Sequence, residues 1–153
     1  MTTTAVPTAL KTGHVGLNVT DLDRSTAFYR QVLGFEVQAE GSEPDRRWAF
    51  LGHGGKLLLT LWQQSDGSFE TAQPGLHHLS FQVESLDEVH QVQTALEKFG
   101  SQFLYDGVVP HGEGVGSGGV FFTDPDGIRL EVYTPSGVEA PAPSGAAPTC
   151  GFF

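Results

Sequence analysis

Long hydrophobic runs are absent from this chain of 153 residues. Its apolar runs are short, such as the one from Leu57 to Leu59, and none approaches the length that spans a bilayer. The N-terminus also lacks the charged start and long apolar stretch of a secretory signal peptide. We therefore expect the chain to have no membrane partner.

Cysteine and basic residues are scarce. The single cysteine, Cys150, cannot form an intramolecular disulfide, which favours the reducing cytoplasm. The chain has eight Lys and Arg residues but 18 Asp and Glu residues, which gives a formal net charge of −10. Nucleic-acid binders carry basic patches, whereas the only basic cluster here is Arg46-Arg47. We expect no nucleic-acid partner and interpret the chain as one that binds small molecules.

An internal repeat organises the sequence. Residues 14–19 read His-Val-Gly-Leu-Asn-Val, and residues 78–83 read His-Leu-Ser-Phe-Gln-Val. Both segments alternate apolar and polar residues, which predicts two half-buried strands. The repeat therefore predicts two similar modules, each of which begins with a strand headed by histidine.

Each predicted strand leads into a predicted helix. The first helix has an N-cap signal at Thr20 or Asp21, and the second has a capping box in Ser85-x-x-Glu88. Apolar residues follow at helical spacing in both segments. The helices are predicted to end at Gly34 and Gly100, since glycine readily adopts the left-handed conformation found there.

Three strand-like segments follow each predicted helix, so each module has the order βαβββ. In the first module these are residues 35–40, 46–52 and 56–62, and in the second they are 102–108, 118–123 and 128–134. We expect an extension at 1–11, modules at 12–62 and 76–135, a linker at 63–75, and a tail at 136–153 rich in Pro, Ala and Gly.

Metal-competent residues lie on the polar sides of three predicted strands. His14 and His78 head equivalent strands, and Glu131 lies opposite the apolar stripe of the last strand. A solvated sheet face would explain polar residues on any one strand. Two histidines and one carboxylate are, however, the ligands of the non-haem iron(II) facial triad. We therefore predict a metal site formed by His14, His78 and Glu131.

These modules, with their paired histidines and the ending Asp124-Pro-Asp-Gly127-x-x-x-Glu131, resemble the vicinal oxygen chelate superfamily of glyoxalases, bleomycin-resistance proteins and dioxygenases. The resemblance covers residues 12–135. It implies an α+β fold in which two βαβββ modules form a cup-shaped mixed sheet around a metal. Aligning Gly55 with Gly127 places Leu59 opposite Glu131, so the fourth protein ligand of glyoxalase I-type enzymes is absent.

A second motif is similar to that of type I extradiol dioxygenases. His111 is followed, after a gap of eight residues, by Val120, Phe121, two further residues, Asp-Pro-Asp-Gly and Glu131. The resemblance implies that His111 is a catalytic acid or base. The tyrosine of the family is replaced by Phe121, and Tyr105 or Tyr133 could supply a phenol instead. The compact length and residues 13–22 resemble the small dioxygenases that open L-DOPA in antibiotic biosynthesis.

The resemblance implies an oxidoreductase with Fe²⁺ as cofactor and with a catechol and O₂ as substrates. L-DOPA, opened by 2,3-cleavage, is the suggested substrate. Pocket candidates are Tyr105, Phe121, Trp48 and Arg129. A substrate carboxylate could pair with Arg46, Arg47 or Arg129, and nothing in the sequence selects among them. His77 is expected to point away from His78 by strand alternation.

Two other functions remain open from the sequence. One is a metal-dependent enzyme of the fosfomycin thiol transferase type, although the second module shows no cluster of cations for a phosphonate. The other is a metal-free protein that sequesters a drug. We expect a homo-oligomer, and the sequence leaves open whether the modules pair within a chain or across a dimer.

Overall fold

A computed structural model describes residues 9–141 and contains two βαβββ modules. The first consists of β1 (Val15–Val19), α1 (Leu22–Leu33), β2 (Glu36–Glu43), β3 (Arg46–His53) and β4 (Lys56–Gln63). The second consists of β5 (Leu79–Gln82), α2 (Leu86–Phe99), β6 (Val109–Pro110), β7 (Gly118–Thr123) and β8 (Arg129–Thr134). The predicted element order is thus confirmed.

Each module forms its own four-stranded mixed sheet, and together with the helices these sheets confirm the α+β class. The strand orders are β1-β4-β3-β2 and β5-β8-β7-β6. The first strand of each module runs parallel to the last, while the other neighbours are antiparallel. Strands β1 and β5 are therefore edge strands within residues 9–141. No helix in this range is long and apolar enough to cross a membrane.

The helix ends form where the sequence predicts them. The side chain of Asp21 accepts a hydrogen bond from the backbone N–H of Arg24 and caps α1. Ser85 and Glu88 form the reciprocal capping box of α2. Gly34 and Gly100 end the helices with φ angles of 69° and 78°, in the left-handed region that favours glycine.

The predicted strand at 102–108 is wrong. Only Phe103 in this segment makes a β-bridge, to Phe122, and the next strand is the short β6 at Val109–Pro110. Gly107 has a φ of 68°, so the chain turns there and leaves the sheet. The predicted N-terminal extension and tail are described only in part, because residues 1–8 and 142–153 lie outside the described range.

The modules pack through their helices and share one apolar core. Phe28 of α1 contacts Phe99 of α2, with ring centroids 5.4 Å apart, and also lies 6.2 Å from the ring of Phe122. Each helix also covers one face of its own sheet. The opposite face of each sheet, here called the open face, is not covered by a helix and is available for a functional site.

The turn between β7 and β8 joins the two modules. The hydroxyl of Tyr29 donates to Asp124 at 2.9 Å, and Asp126 accepts from the backbone N–H of Thr20 at 3.1 Å and from Arg24 at 2.9 Å. Asp124 also accepts two backbone N–H groups of its own turn. Burial nevertheless raises the pKa of Asp124 to about 6, although these hydrogen bonds oppose the shift.

This raised pKa predicts a pH-dependent stability. Between the ordinary value of 3.8 and about 6, the folded protein binds the Asp124 proton more tightly than the unfolded chain does. Stability should therefore fall as pH rises through this window, by roughly 3 kcal/mol for a shift of about two pH units. Denaturant unfolding of the wild type and of Asp124→Asn, from pH 4 to 7, isolates the contribution of Asp124 to the free energy of unfolding. Parallel stability curves for the two proteins would contradict it.

Candidate metal centre

Glu131 is a fully buried carboxylate on the open face of the second sheet. Its neighbours in β8, Leu130 and Val132, point into the core, as the alternation predicts. Glu131 is nevertheless 0% exposed. It pairs in register with Ser80 on one side and Phe121 on the other. The Ser80 hydroxyl donates to Glu131 Oε2 at 2.9 Å and so orients the carboxylate.

His78 lies beside this carboxylate, immediately before β5. Its Nε2 is 3.6 Å from Glu131 Oε2, and its side chain is 17% exposed. Burial lowers the pKa of His78, and the negative charge of Glu131 opposes the shift only in part. A lowered pKa favours the neutral imidazole, which is the form that binds a metal.

The prediction that His77 points away from His78 is wrong. The two Nδ1 atoms lie 2.8 Å apart, and the rings meet edge to face. Both residues precede the first residue of β5, so the alternation of a strand does not apply to them. His77 therefore contacts the candidate ligand and can orient its ring.

His111 contacts the other oxygen of the carboxylate. Its Nε2 forms a short hydrogen bond with Glu131 Oε1. Its Nδ1 lies 3.0 Å from the Ser117 hydroxyl, and its backbone N–H donates to the Ser117 carbonyl at 2.9 Å. Ser117 thus closes the glycine-rich loop and aims the imidazole of His111 at Glu131.

Aromatic side chains form the wall around this cluster. The rings of Tyr133 and Phe121 lie 5.1 and 6.3 Å from that of His111, and Tyr105 lies 5.5 Å from Phe121. The Tyr133 hydroxyl donates to Gln82 at 2.8 Å. Of the two phenols considered from the sequence, Tyr133 contacts His111 and Tyr105 packs against Phe121.

The predicted ligand His14 belongs to the other sheet. It is exposed and immediately precedes β1, which is hydrogen-bonded to β4. Trp48, a predicted pocket residue, also lies in this first sheet, whereas Arg129 lies in β8 near His78. Within residues 9–141, no three or more His, Cys, Asp and Glu side chains are arranged as a complete metal site. One chain therefore brings together His78, Glu131 and His111 without His14.

The alignment of Leu59 with Glu131 is also wrong. Thr60 is the counterpart of Glu131, because it pairs with Gly16 and Phe50 just as Glu131 pairs with Ser80 and Phe121. A register shift between β3 and β4 inserts one extra residue in the first module. Leu59 is instead fully buried in the core. Threonine at this position still supplies no carboxylate ligand.

The second module supplies part of a donor set for a divalent metal ion. His78 offers one imidazole nitrogen and Glu131 one buried carboxylate, donors that suit iron, manganese and zinc, but these residues do not form a complete site within the described residues. The hydroxyl of Ser80 and the aromatic wall would orient and shield the ligands. Ser80 could have been identified from its place on the polar face, whereas no local signal pointed to Ser117.

Comparisons with family models and with known protein sequences point to the same superfamily. A family model described as the Glyoxalase/Bleomycin resistance protein/Dioxygenase superfamily matches residues 11–132. A "Glyoxylase I 4" of Arabidopsis thaliana is 34% identical over 78% of this chain and 67% of its own length. A "Catechol-2,3-dioxygenase" of Bacillus subtilis is 27% identical over 79% of this chain and 40% of its own length.

Solved structures share the fold. A glyoxylase/bleomycin resistance protein/dioxygenase domain from Frankia sp. EAN1pec has a TM-score of 0.69 and 29% identity, and covers 83% of this chain and 98% of its own. A fosfomycin resistance protein from Listeria monocytogenes, complexed with Mn(II), has a TM-score of 0.63 and 21% identity, and covers 88% and 97% of the two chains. The chain belongs to the glyoxalase/bleomycin resistance/dioxygenase superfamily, also called the vicinal oxygen chelate superfamily.

Proposed function

We propose that this chain is an iron(II)-dependent extradiol dioxygenase that opens a catechol ring with O₂. The observation that carries the proposal is the buried Glu131 carboxylate between the imidazoles of His78 and His111. Metal-dependent members of the superfamily act on small molecules. The dioxygenase relative in Bacillus subtilis and the His111 motif favour ring cleavage over the other reactions of the superfamily.

The site residues of the second module have distinct roles in this proposal. His78 and Glu131 would hold the iron(II), whose contribution when bound would be Lewis-acid activation of the catechol. His111 accepts a proton from a catechol hydroxyl and later returns it to an oxygen atom. A neutral imidazole can accept a proton and its protonated form can return one, so the side chain suits both steps. Phe121 and Tyr133 provide the apolar wall that the aromatic ring needs.

We further propose that His14 completes the iron site from a second copy of the chain. His14 is exposed, and β1 and β5 are edge strands with unpaired backbone groups to cover. A symmetric dimer in which β1 of one copy lies beside β5 of the other would join the two open faces into one cup. Such an interface is isologous and creates two equal sites.

Complementation between two inactive variants tests this dimer. His14→Ala and Glu131→Gln should each be inactive alone, but a heterodimer of the two retains one complete site. After subunit exchange, a mixture in equal amounts should regain about a quarter of wild-type activity, because half the dimers are heterodimers with one intact site each. Activity that stays at the level of the separate variants would contradict a shared site.

A substrate panel tests the reaction itself. The protein is reconstituted with iron(II) without oxygen, and L-DOPA and simpler catechols are then added under an oxygen electrode. We propose L-DOPA, cleaved at the 2,3-bond, as a substrate, and expect oxygen uptake with a yellow ring-opened product. Thiol consumption with fosfomycin and manganese would instead assign a thiol transferase. Tight binding of a large antibiotic without any turnover would assign a sequestering protein.

A further inference from the structure

The open face of the first sheet carries a pocket that the proposed iron chemistry does not use. The pocket has a volume of about 400 Å³ and is lined by Arg46, Arg47, Trp48, Trp62 and Gln64. Trp48, Thr60 and Trp62 share the face of the sheet opposite α1, and the exposed His14 lies next to β1 at the edge of the same sheet. In the proposed dimer this face would form the opposite wall of the cup.

Three aromatic rings form the floor beside this pocket. The ring centroid of Trp48 lies 4.6 Å from that of Phe50 and 6.3 Å from that of Trp62, and Phe50 lies 6.0 Å from Trp62. Gly41 lies beneath the Trp48 indole, and a Cβ there would clash with the ring. Trp62 is 37% exposed, so this aromatic cluster presents apolar surface to solvent. A flat ring is the ligand that such a floor fits best.

Strand alternation separates the two arginines of the pocket. Arg47 points to the helix side of β3 and donates to Asp23 of α1 at 2.7 Å. Arg46 shares the face of Trp48, is exposed, and forms no ion pair within residues 9–141. Glu43 is its cross-strand partner, yet the two side chains form no ion pair. Of the two arginines that line this pocket, Arg46 is thus the one whose guanidinium can face a ligand.

We propose that this pocket binds the carboxylate-bearing end of an aromatic acid, with its apolar part over Trp48 and Trp62 and its carboxylate on Arg46. A guanidinium binds a carboxylate through two parallel hydrogen bonds. A chain with a net charge of −10 repels anions in general, so an anionic ligand needs such a local cation. Gln64 adds an amide at the edge of the pocket.

The position of the pocket also defines a substrate class, and this step rests on the proposed function. Arg46 lies four residues along β3 from Phe50, the partner of Thr60, which corresponds to roughly 13 Å. A plain catechol lying over Phe50 and Thr60 has no carboxylate and cannot form an ion pair with Arg46. A catechol with an acidic side chain of several atoms can. The preferred substrates are therefore catechols that carry a carboxylate on a short chain.

Binding of phenylpropionate and of its neutral analogue phenylpropanol tests the pocket directly. The chain has two tryptophans, and both line the pocket, so intrinsic fluorescence reports on this site alone. Titration calorimetry of the full chain, with and without iron(II), gives the affinity. Arg46→Gln should weaken phenylpropionate binding about 10- to 100-fold, the effect expected for a hydrogen-bonded ion pair, and should leave phenylpropanol binding unchanged.

Arg47→Gln is the matched control, because it removes the same charge from the neighbouring residue that bonds to Asp23. It should leave phenylpropionate binding within about twofold of wild type, as expected for a rim charge outside the contact. Equal losses in the two variants, or equal affinity for the acid and the alcohol, would overturn the proposal. Glu43→Gln should strengthen binding of the acid, since it removes a nearby negative charge.

Ring cleavage provides a separate measurement. With iron(II) and O₂, Arg46→Gln should lower kcat/KM for a carboxylated catechol and leave kcat/KM for plain catechol unchanged. If no catechol is cleaved but the acid still binds through Arg46, the proposed function is wrong and the proposed binding pocket is supported. If catechols are cleaved but Arg46→Gln has no effect on either measurement, the proposed binding pocket is wrong and the proposed dioxygenase function is supported.

Discussion

Replacing Glu131 by glutamine should abolish iron binding and ring cleavage while the protein remains folded. Glu131 is fully buried and contacts His78 and His111, so its carboxylate is the anionic centre of the site. Changes in residues that only orient a ligand reduce metal affinity about 10- to 100-fold, and loss of the ligand itself should exceed that range. Metal analysis after desalting and an oxygen electrode measure the two losses.

Thermal unfolding distinguishes a lost ligand from a damaged fold. A buried carboxylate is costly without a cation, and glutamine of similar shape removes that cost. The metal-free Glu131→Gln variant should therefore unfold at or above the temperature of the metal-free wild type. Added iron(II) should raise the unfolding temperature of the wild type alone. A Glu131→Gln protein that is iron-loaded and fully active would refute the metal site.

Replacing His111 by phenylalanine should reduce turnover by about 10²- to 10⁴-fold, the usual contribution of a general acid or base. Phenylalanine keeps the ring that packs between Phe121 and Tyr133 but has no nitrogen to move a proton. Iron should stay bound, because His78, Glu131 and the proposed His14 remain. Rapid-mixing kinetics would locate the loss in the steps after catechol binding.

The companion variant Ser117→Ala tests the orientation of His111. It removes the hydroxyl 3.0 Å from Nδ1 and leaves the imidazole in place. Its turnover should fall less than that of His111→Phe. Loss of iron from His111→Phe would instead make His111 a metal ligand within one chain. Normal turnover in His111→Phe would remove the residue from the mechanism.

The alternation of apolar and polar residues along the strands made much of the fold and part of the site predictable. Alternation in the last strand placed Glu131 opposite Leu130 and Val132, and the repeat placed His14 and His78 at equivalent positions. Capping signals at Asp21 and Ser85 fixed the starts of both helices. Alternation and capping are local, since each depends on residues only a few positions apart, and the repeat consists of one such local pattern occurring twice.

The features that sequence patterns missed depend on contacts or backbone irregularities between distant segments. The register shift that makes Thr60 the counterpart of Glu131 arises from the pairing of β3 with β4. The turn at Gly107 removes a strand that the pattern predicted, and the contact of Ser117 with His111 depends on how a loop closes. The placement of His14 away from Glu131 is likewise a matter of how the modules pack, which no local pattern encodes.

The ratio of oxygen consumed to catechol consumed tests the central proposal most directly. An extradiol dioxygenase incorporates both atoms of O₂ into its product. The iron(II)-loaded protein should therefore consume one O₂ per catechol as a yellow semialdehyde accumulates. The Glu131→Gln variant should do neither under the same conditions. Catechol loss without oxygen uptake, or no loss with any catechol in the iron-loaded wild type, would contradict the proposed function.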